Sequence, residues 1–266
     1  MPLAVCATPI GNLDDVTLRV LAELRDADVV LCEDTRHTRG LLERHGIKAR
    51  LLSYHEHNEA ARTAELLPRL EAGERVALVS DAGLPGMSDP GGRLVRAAPD
   101  AGVPVTVLPG PSAVETALVA SGLVDERYQF LGFLPRGEQA LRTLWEELLA
   151  WPWPAVAFES AQRLPATLRS LASADPERPV AVCRELTKRF EEVVRGTAAE
   201  LAARFAEPPK GELVLVLGPG RSEPDVDAAL VAVAELVEAG VPRKRAAELV
   251  SRLTGVARNR LYRGSL

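Results

Sequence analysis

Five short, mainly apolar runs, Leu3 to Ala7, Asp28 to Cys32, Arg50 to Tyr54, Val76 to Val79 and Val105 to Leu108, each break into glycine, proline or charged residues and then into a stretch with helical spacing. Runs of this length between turn formers read as strands. Apolar residues three and four apart, such as Val16, Val20, Leu21 and Leu24, read as the buried stripe of a helix. Strands alternating with helices require crossover connections and hence a mainly parallel sheet. The five loops all follow strands, so they gather on one edge of that sheet, where open α/β folds bind their ligands. The most developed loop is Ser80 to Gly92, whose glycines permit sharp turns and close approach while Asp81 and Asp89 add carboxylates.

The same pattern sets the expected boundaries. Asp14 or Asp15 is expected to cap a first helix reaching about Ala27, Gly46 to stop the second, and Pro111 to occupy the first turn of a helix that Gly122 ends. Around Leu123 to Arg127 the alternation pauses. A second unit follows, with strands at Tyr128 to Phe133, Ala155 to Phe158, Val180 to Cys183, Phe190 to Val194 and Leu213 to Leu217, one helix near Gln139 to Leu149, and a mixed sheet. Glu223-Pro224 reads as a linker, and residues 226–266 as a small helical unit with a turn at Gly240-Val241-Pro242. The expected division is 1–123 and 124–222, two α/β domains enclosing a cleft, and 223–266, a basic helical domain.

At 266 residues, 47% apolar and 26% charged, the chain has the composition of a globular protein, and its apolar runs fall short of the ~18 residues of a membrane span. The first residues lack a basic segment, and Cys6, Cys32 and Cys183 are odd in number without CxxC spacing. Free thiols in a reducing cytoplasm, and no membrane, are the expectation. The net charge of −5 hides an asymmetry, because residues 242–266 hold seven Arg and Lys against one Glu. A basic tail on an acidic body points to an anionic macromolecular partner.

Spacing excludes several chemistries. There is no GxGxxG after the first strand, no GxxxxGK phosphate loop and no GxSxG elbow. His55 and His57 with Cys32 and His37 specify no fourth ligand, so no metal is expected. All four histidines nonetheless fall within residues 37–57, beside the candidate loops. Backbone N–H groups at the helix start Ser112-Ala113 could hold the carboxylate of a small anionic or zwitterionic cofactor. Glu33, Asp34, His37, His55 and Glu56 offer general bases, and Arg36, Arg39 and Arg44 can hold phosphates.

Six stretches of the first half, Ala7-Thr8-Pro9-Ile10-Gly11-Asn12-Leu13, Glu33-Asp34-Thr35-Arg36-His37-Thr38, Ser53-Tyr54-His55-Glu56-His57-Asn58-Glu59, Ser80-Asp81-Ala82-Gly83, Ser88-Asp89-Pro90-Gly91 and Pro109-Gly110-Pro111-Ser112-Ala113, together resemble the bacterial 16S ribosomal RNA cytidine 2'-O-methyltransferases of the tetrapyrrole methylase superfamily. Phe130-Leu131-Gly132-Phe133-Leu134-Pro135-Arg136 and Arg184-Glu185-Leu186-Thr187-Lys188 extend the resemblance, in order, to about residue 217. It implies two α/β domains with S-adenosylmethionine in the cleft between them, a homodimer, and methylation of a decoding-site ribose in the small ribosomal subunit. By motif, the cofactor would be held at Pro9, Asp81, Gly83, Leu84, Met87, Ser112, Ala113 and Leu186. Asn12, Glu33, Asp34, Arg36, His37, His55, Glu56 and Asn58 would surround the nucleotide. Leu84 stands where the family commonly has Thr, Gly92 where it has Tyr, and Ala161-Gln162 where Pro-His is usual.

Methyl transfer to a ribose oxygen is an in-line displacement, so alignment at ~3 Å supplies most of the catalysis and proton removal a smaller part. With lysine only at positions 48, 188, 210 and 244, a lysine-centred site is hard to assemble. Glu33 or Asp34 is the expected base, with Arg36 and His37 positioning phosphate or ribose and Asn12 orienting the acceptor. Arg39, Arg44, Arg243, Lys244, Arg245, Arg258 and Arg260 are expected to contact RNA. The rival readings are a tetrapyrrole C-methyltransferase and a non-catalytic RNA-binding assembly factor on the same fold.

Overall fold

The computed structural model describes residues 2–220 and 226–264. Strands β1 (Leu3–Cys6), β2 (Val29–Cys32), β3 (Leu51–Ser53), β4 (Val76–Leu78) and β5 (Val105–Leu108) form a wholly parallel sheet in the order β3-β2-β4-β1-β5. Helices α1 (Leu18–Asp26) and α2 (Thr35–Arg44) cover one face, where Val20, Leu24, Leu41 and Leu42 pack on Ala4, Val30 and Ala77. Helices α3 (Glu59–Glu71) and α4 (Gly92–Asp100) cover the other, where Leu66, Leu70 and Leu94 meet Leu3, Leu31 and Leu78. With both faces covered, a strand such as β4 needs no polar alternation, hence its unbroken apolar run. The neighbours β1 and β4 send their following helices to opposite faces, opening a crevice at their carboxyl ends.

The second sheet contains β6 (Gln129–Phe133), β7 (Ala155–Glu159), β8 (Pro179–Arg184), β9 (Glu192–Thr197) and β10 (Leu213–Leu217) in the order β6-β7-β10-β8-β9. Only β6 and β7 run parallel, so the sheet is mixed as expected. Helices α6 (Glu138–Leu149), α7 (Leu164–Ala174) and α8 (Ala198–Arg204) bury one face around Trp145, Leu168 and Leu201. The opposite face is covered by α5 (Ala113–Ser121), whose Val114, Ala117 and Leu118 pack with Ile10 on Val156, Ala181 and Val214. Thus α5, which follows β5 of the first sheet, binds the two halves together. Helices α9 (Val226–Glu238), α10 (Arg243–Thr254) and α11 (Arg258–Gly264) enclose a small core of Ala229, Val233, Ala247, Val250 and Leu261. The expected linker Glu223-Pro224 lies outside the described residues.

Several local expectations change. Helix α1 begins at Leu18 with the Thr17 hydroxyl accepting from the Val20 N–H at 3.2 Å, while Asp14 and Asp15 sit in a short 3-10 turn capped by Asn12. Pro111 precedes the N-cap Ser112 of α5 rather than standing in its first turn. The strand expected at Phe190 to Val194 runs from Glu192 to Thr197, because it pairs residue for residue with β8. Helices α7 and α8 were not anticipated, although Thr197 and Glu200 form a reciprocal capping box at the start of α8.

Candidate active site

The loops after β1 and β4 are joined into one unit at the crevice. Thr8 and Gly83 exchange backbone hydrogen bonds of 2.8 and 3.1 Å, and the Thr8 hydroxyl donates to the Ser80 carbonyl at 3.0 Å. The Asp34 N–H, at the end of β2, donates to Asp81 Oδ1 at 3.1 Å. From the far side Glu59, at the start of α3, accepts the N–H groups of Gly91 and Arg93 at 3.1 and 3.0 Å and so holds the amino end of α4. The glycine loop is therefore fixed at both ends by side chains remote in sequence.

Between this edge and the second sheet lies a cavity of 1050 Å³. Of the expected cofactor residues, Asp81, Gly83, Leu84, Met87, Ser112, Ala113 and Leu186 line it. Pro9 instead borders a small void of 10 Å³, together with His37 and Asp81, so Asp81 faces both spaces. The second half contributes Phe130, Phe133, Phe158 and Cys183. Burial pushes the Cys183 thiol up to about 11, which removes it as a nucleophile near neutral pH. The amino end of α5 opens into the cavity; the Ser112 side chain makes no cap bond there, its hydroxyl donating to Glu115, whose carboxylate also takes its own N–H and leaves those of Ala113 and Val114 without a side-chain cap. Those N–H groups and apolar walls suit a ligand with a carboxylate at one end and a flat ring at the other.

The expected catalytic acids stand beside the cavity wall, next to Asp81, and their environments differ. Asp34 accepts two hydrogen bonds from the Arg36 guanidinium, at 2.7 and 3.1 Å, and also caps α2, which holds its carboxyl down at about 2. Glu33 is half-buried, and its pKa is raised by that burial and by the nearby Asp81, with His55 acting in the opposite sense. Asp89 lines the cavity and is pushed up to about 6, first by burial and then by Glu33 and Asp81. Three carboxyl groups thus share one corner, a pattern that favours retention of a proton among them.

Asn58 orients His55. Its side chain accepts from the His55 N–H at 2.9 Å, donates to the Ser53 carbonyl at 3.2 Å and meets His55 Nε2 at 3.2 Å. His55 Nδ1 is buried without a partner. Glu56 and His57 are exposed beside it.

Asn12 caps the short 3-10 turn that follows the β1 loop. Its Oδ1 accepts from the Asp14 N–H at 3.1 Å, and its own N–H donates to Thr187 Oγ1 at 3.0 Å, joining the β1 loop to the second half. Arg44 grips Asp14 at 3.0 Å, and Arg39 is exposed on α2. Arg243, Lys244 and Arg245 lie on α10, with Arg245 paired to Glu248 at 3.2 Å, and Arg258 and Arg260 are exposed on α11. Among the described residues, no cluster of His, Cys, Asp and Glu is arranged to hold a metal ion, and no helix is long and apolar enough to cross a membrane.

Several cavity residues had escaped the site reading. Asp89 had been noted only as a carboxylate after β4. Tyr128 donates to Glu115 Oε1 at 2.5 Å, and both line the cavity. Glu159 ends β7 fully buried, held by Thr167 at 2.6 Å and Arg163 at 3.2 Å, so it serves the structure of that wall although Ala161-Gln162 follow it. The usable signal was scarcity: three of the five phenylalanines line this one cavity.

Residues 2–202 match the family described as Tetrapyrrole (Corrin/Porphyrin) Methylases. The chain is 45% identical to a ribosomal RNA small subunit methyltransferase I of Mesorhizobium japonicum over 98% of its own length and 90% of the relative's. It is 41% identical to the protein so named in Escherichia coli O157:H7, over 99% and 94%. Among solved structures, a uroporphyrin-III C-methyl transferase of Thermus thermophilus complexed with S-adenyl homocysteine superposes with a TM-score of 0.55 at 21% identity, covering 81% of this chain and 96% of that one.

Proposed function

This chain belongs to the tetrapyrrole methylase family and, within it, to the ribosomal RNA small subunit methyltransferases I, and on that footing we propose that it methylates the ribose 2'-hydroxyl of a decoding-site cytidine in 16S ribosomal RNA. The observation that carries the reading is extent. Similarity to the ribosomal RNA enzymes runs through α9 and the basic helices α10 and α11, whereas the match to the uroporphyrin enzyme leaves part of the chain uncovered. A basic helical unit is what a polyanionic acceptor calls for and a small tetrapyrrole does not.

The donor is S-adenosylmethionine, which supplies a methyl group on a sulfonium centre, open to in-line attack by an oxygen. Asp81, Gly83, Leu84 and Met87 of the glycine loop, Ser112 and Ala113 at the start of α5, and Leu186 of the second half would hold it, with Pro9 of the β1 loop bordering the adjoining small void. The amino end of α5 supports this assignment, since Ser112 makes no cap bond and the N–H groups of Ala113 and Val114 are offered to a carboxylate. The chain's own contribution is orientation and proton removal. Glu33 is the better base of the two expected acids, because burial raises its affinity for a proton while Asp34 is committed to Arg36. Arg36, His37, His55, Glu56 and Asn58 frame the acceptor, and the exposed basic side chains of α10 and α11 dock the RNA.

The working unit is a homodimer acting on the small subunit in the cytoplasm, with domains 1–123, 124–222 and 223–266. Exposed Val107 on the edge strand β5, with Val119 on α5 and Val124 just after it, supports burial against a second copy. The test is transfer of labelled methyl from S-adenosylmethionine to small subunits lacking the modification, with the product mapped. Label on a single decoding-site cytidine ribose is expected, and label on carbon, on another nucleotide or nowhere overturns the reading. If Glu33→Gln turned over at the normal rate while Asp34→Asn did not, the assignment of the base would be reversed.

A further inference from the structure

Phe158 on β7 sits between two other rings. The Phe130 centroid lies 5.1 Å away in a T-shaped contact, and the Phe133 centroid 5.4 Å away, tilted by 59°. Phe130 and Phe158 are partly buried, whereas Phe133 is 63% exposed although it borders the cavity. The cause is local. Pairing of β6 with β7 is broken between Phe130 and Phe133, and Gly132 in the gap has φ +66. A bulge with a residue in this left-handed region re-aims the next side chain, and any residue but glycine would be strained there.

The bulge stands against the first half, since a Cβ on Gly132 would come 3.9 Å from Ser88 Oγ of the glycine loop. Met87 of that loop is 55% exposed at the same cavity. An apolar ring and an apolar thioether, both exposed, therefore border the same cavity as the residues that suit the cofactor. At 1050 Å³ the space stands at the upper end of the roughly 300–1,000 Å³ usual for a ligand site.

We propose that Phe133, backed by Phe158 and sharing the cavity with Met87, is the platform on which the base of the target cytidine stacks after it is turned out of the RNA. The inference rests on the proposed function and adds the acceptor's binding site to it. A nucleotide within a folded RNA must leave its stack before its ribose can reach a methyl group deep in a cleft, and an aromatic face compensates the lost stacking. One platform fits a chain with so few aromatic residues, because one base has to be held and the rest of the RNA is recognised by its phosphates.

The test compares the wild type, Phe133→Ala and Phe133→Tyr in three measurements: S-adenosylhomocysteine affinity by calorimetry without RNA, molar mass by light scattering, and methylation kinetics on unmodified small subunits. Phe133 is exposed, so its removal leaves the core intact. The expected result is unchanged cofactor affinity and mass, a loss of roughly tenfold or more in kcat/KM for the alanine variant, and recovery in the tyrosine variant. Weakened cofactor binding would mean that the ring holds the adenine instead, and a changed mass that it belongs to an interface between copies. Either outcome, or unaltered kinetics, overturns the platform. A wild type inactive on ribosomal RNA would overturn the functional reading itself, which the parallel wild-type assay separates from a failure of Phe133 alone.

Discussion

Substituting Gly11 by alanine tests whether the two halves must close tightly around the cleft. A Cβ at this position would lie 2.5 Å from Lys188 Cγ, 2.7 Å from Thr187 Oγ1 and 2.8 Å from the Leu186 carbonyl oxygen. The lysine methylene could swing away, but the carbonyl is backbone and Leu186 is buried at the cavity wall. The β1 loop and the loop after β8 must then separate, and the Asn12 N–H loses its 3.0 Å bond to Thr187. Overpacking of this kind and one lost hydrogen bond together amount to about 2–4 kcal/mol. Because the cofactor is proposed to lie between the halves, its affinity falls by tenfold or more, 1.4 kcal/mol being a factor of ten. Calorimetric titration with S-adenosylhomocysteine and thermal unfolding read the two effects. Gly40→Ala is the control: Gly40 lies within α2, nothing stands within 4 Å of its Cβ position, and the change should add about 0.5–1 kcal/mol of stability with affinity unchanged. A Gly11→Ala protein with wild-type affinity and melting temperature would refute the reasoning.

Three further outcomes are expected. Asp89 binds its proton more tightly folded, at about 6, than unfolded, near 3.8, so its contribution to stability is full below the lower value and is lost as pH rises to the upper one. With the shift discounted for partial exposure, urea titrations should show wild type losing about 1–2 kcal/mol relative to Asp89→Asn between pH 4 and pH 6.5, and parallel curves would contradict the assignment. Glu59→Ala releases the N–H groups of Gly91 and Arg93 and the Tyr54 hydroxyl, and should cost about 1–3 kcal/mol in chemical denaturation while weakening cofactor binding. Replacing Arg243, Lys244, Arg258 and Arg260 together by alanine should lower the slope of log affinity for small subunits against log salt by roughly 3, and an unchanged slope would remove α10 and α11 from the docking surface.

How much of this was legible in the sequence depended on how local each cause is. The first sheet was readable because a parallel strand covered on both faces leaves an unbroken apolar run, as at Val76 to Val79, and because each loop follows its strand directly. Helix α7 was passed over although Leu164, Leu168 and Leu171 carry the helical spacing. Its flanks offered no cap as clear as that of α8, which itself went unread. The site was legible as a set of loops and illegible as an arrangement. That Asp34 is spent on Arg36 is local, two residues apart, and could have been weighed from the capping position alone.

That Asp81 stands against Asp34, 47 residues away, follows from β4 inserting between β1 and β2, which no spacing within either segment encodes. The same insertion brings Glu33 and Asp89 into one corner with Asp81, and the proton affinity of Glu33 and Asp89 rises there through burial and through the neighbouring carboxylates. Strand order is set by which helices the two faces can accommodate. The electrostatics of the site are thereby a consequence of packing on the far sides of the sheet, around Leu24 on one face and Leu70 on the other. Core substitutions there that shift β4 by a fraction of its spacing should move the pH dependence of the site before they unfold the chain.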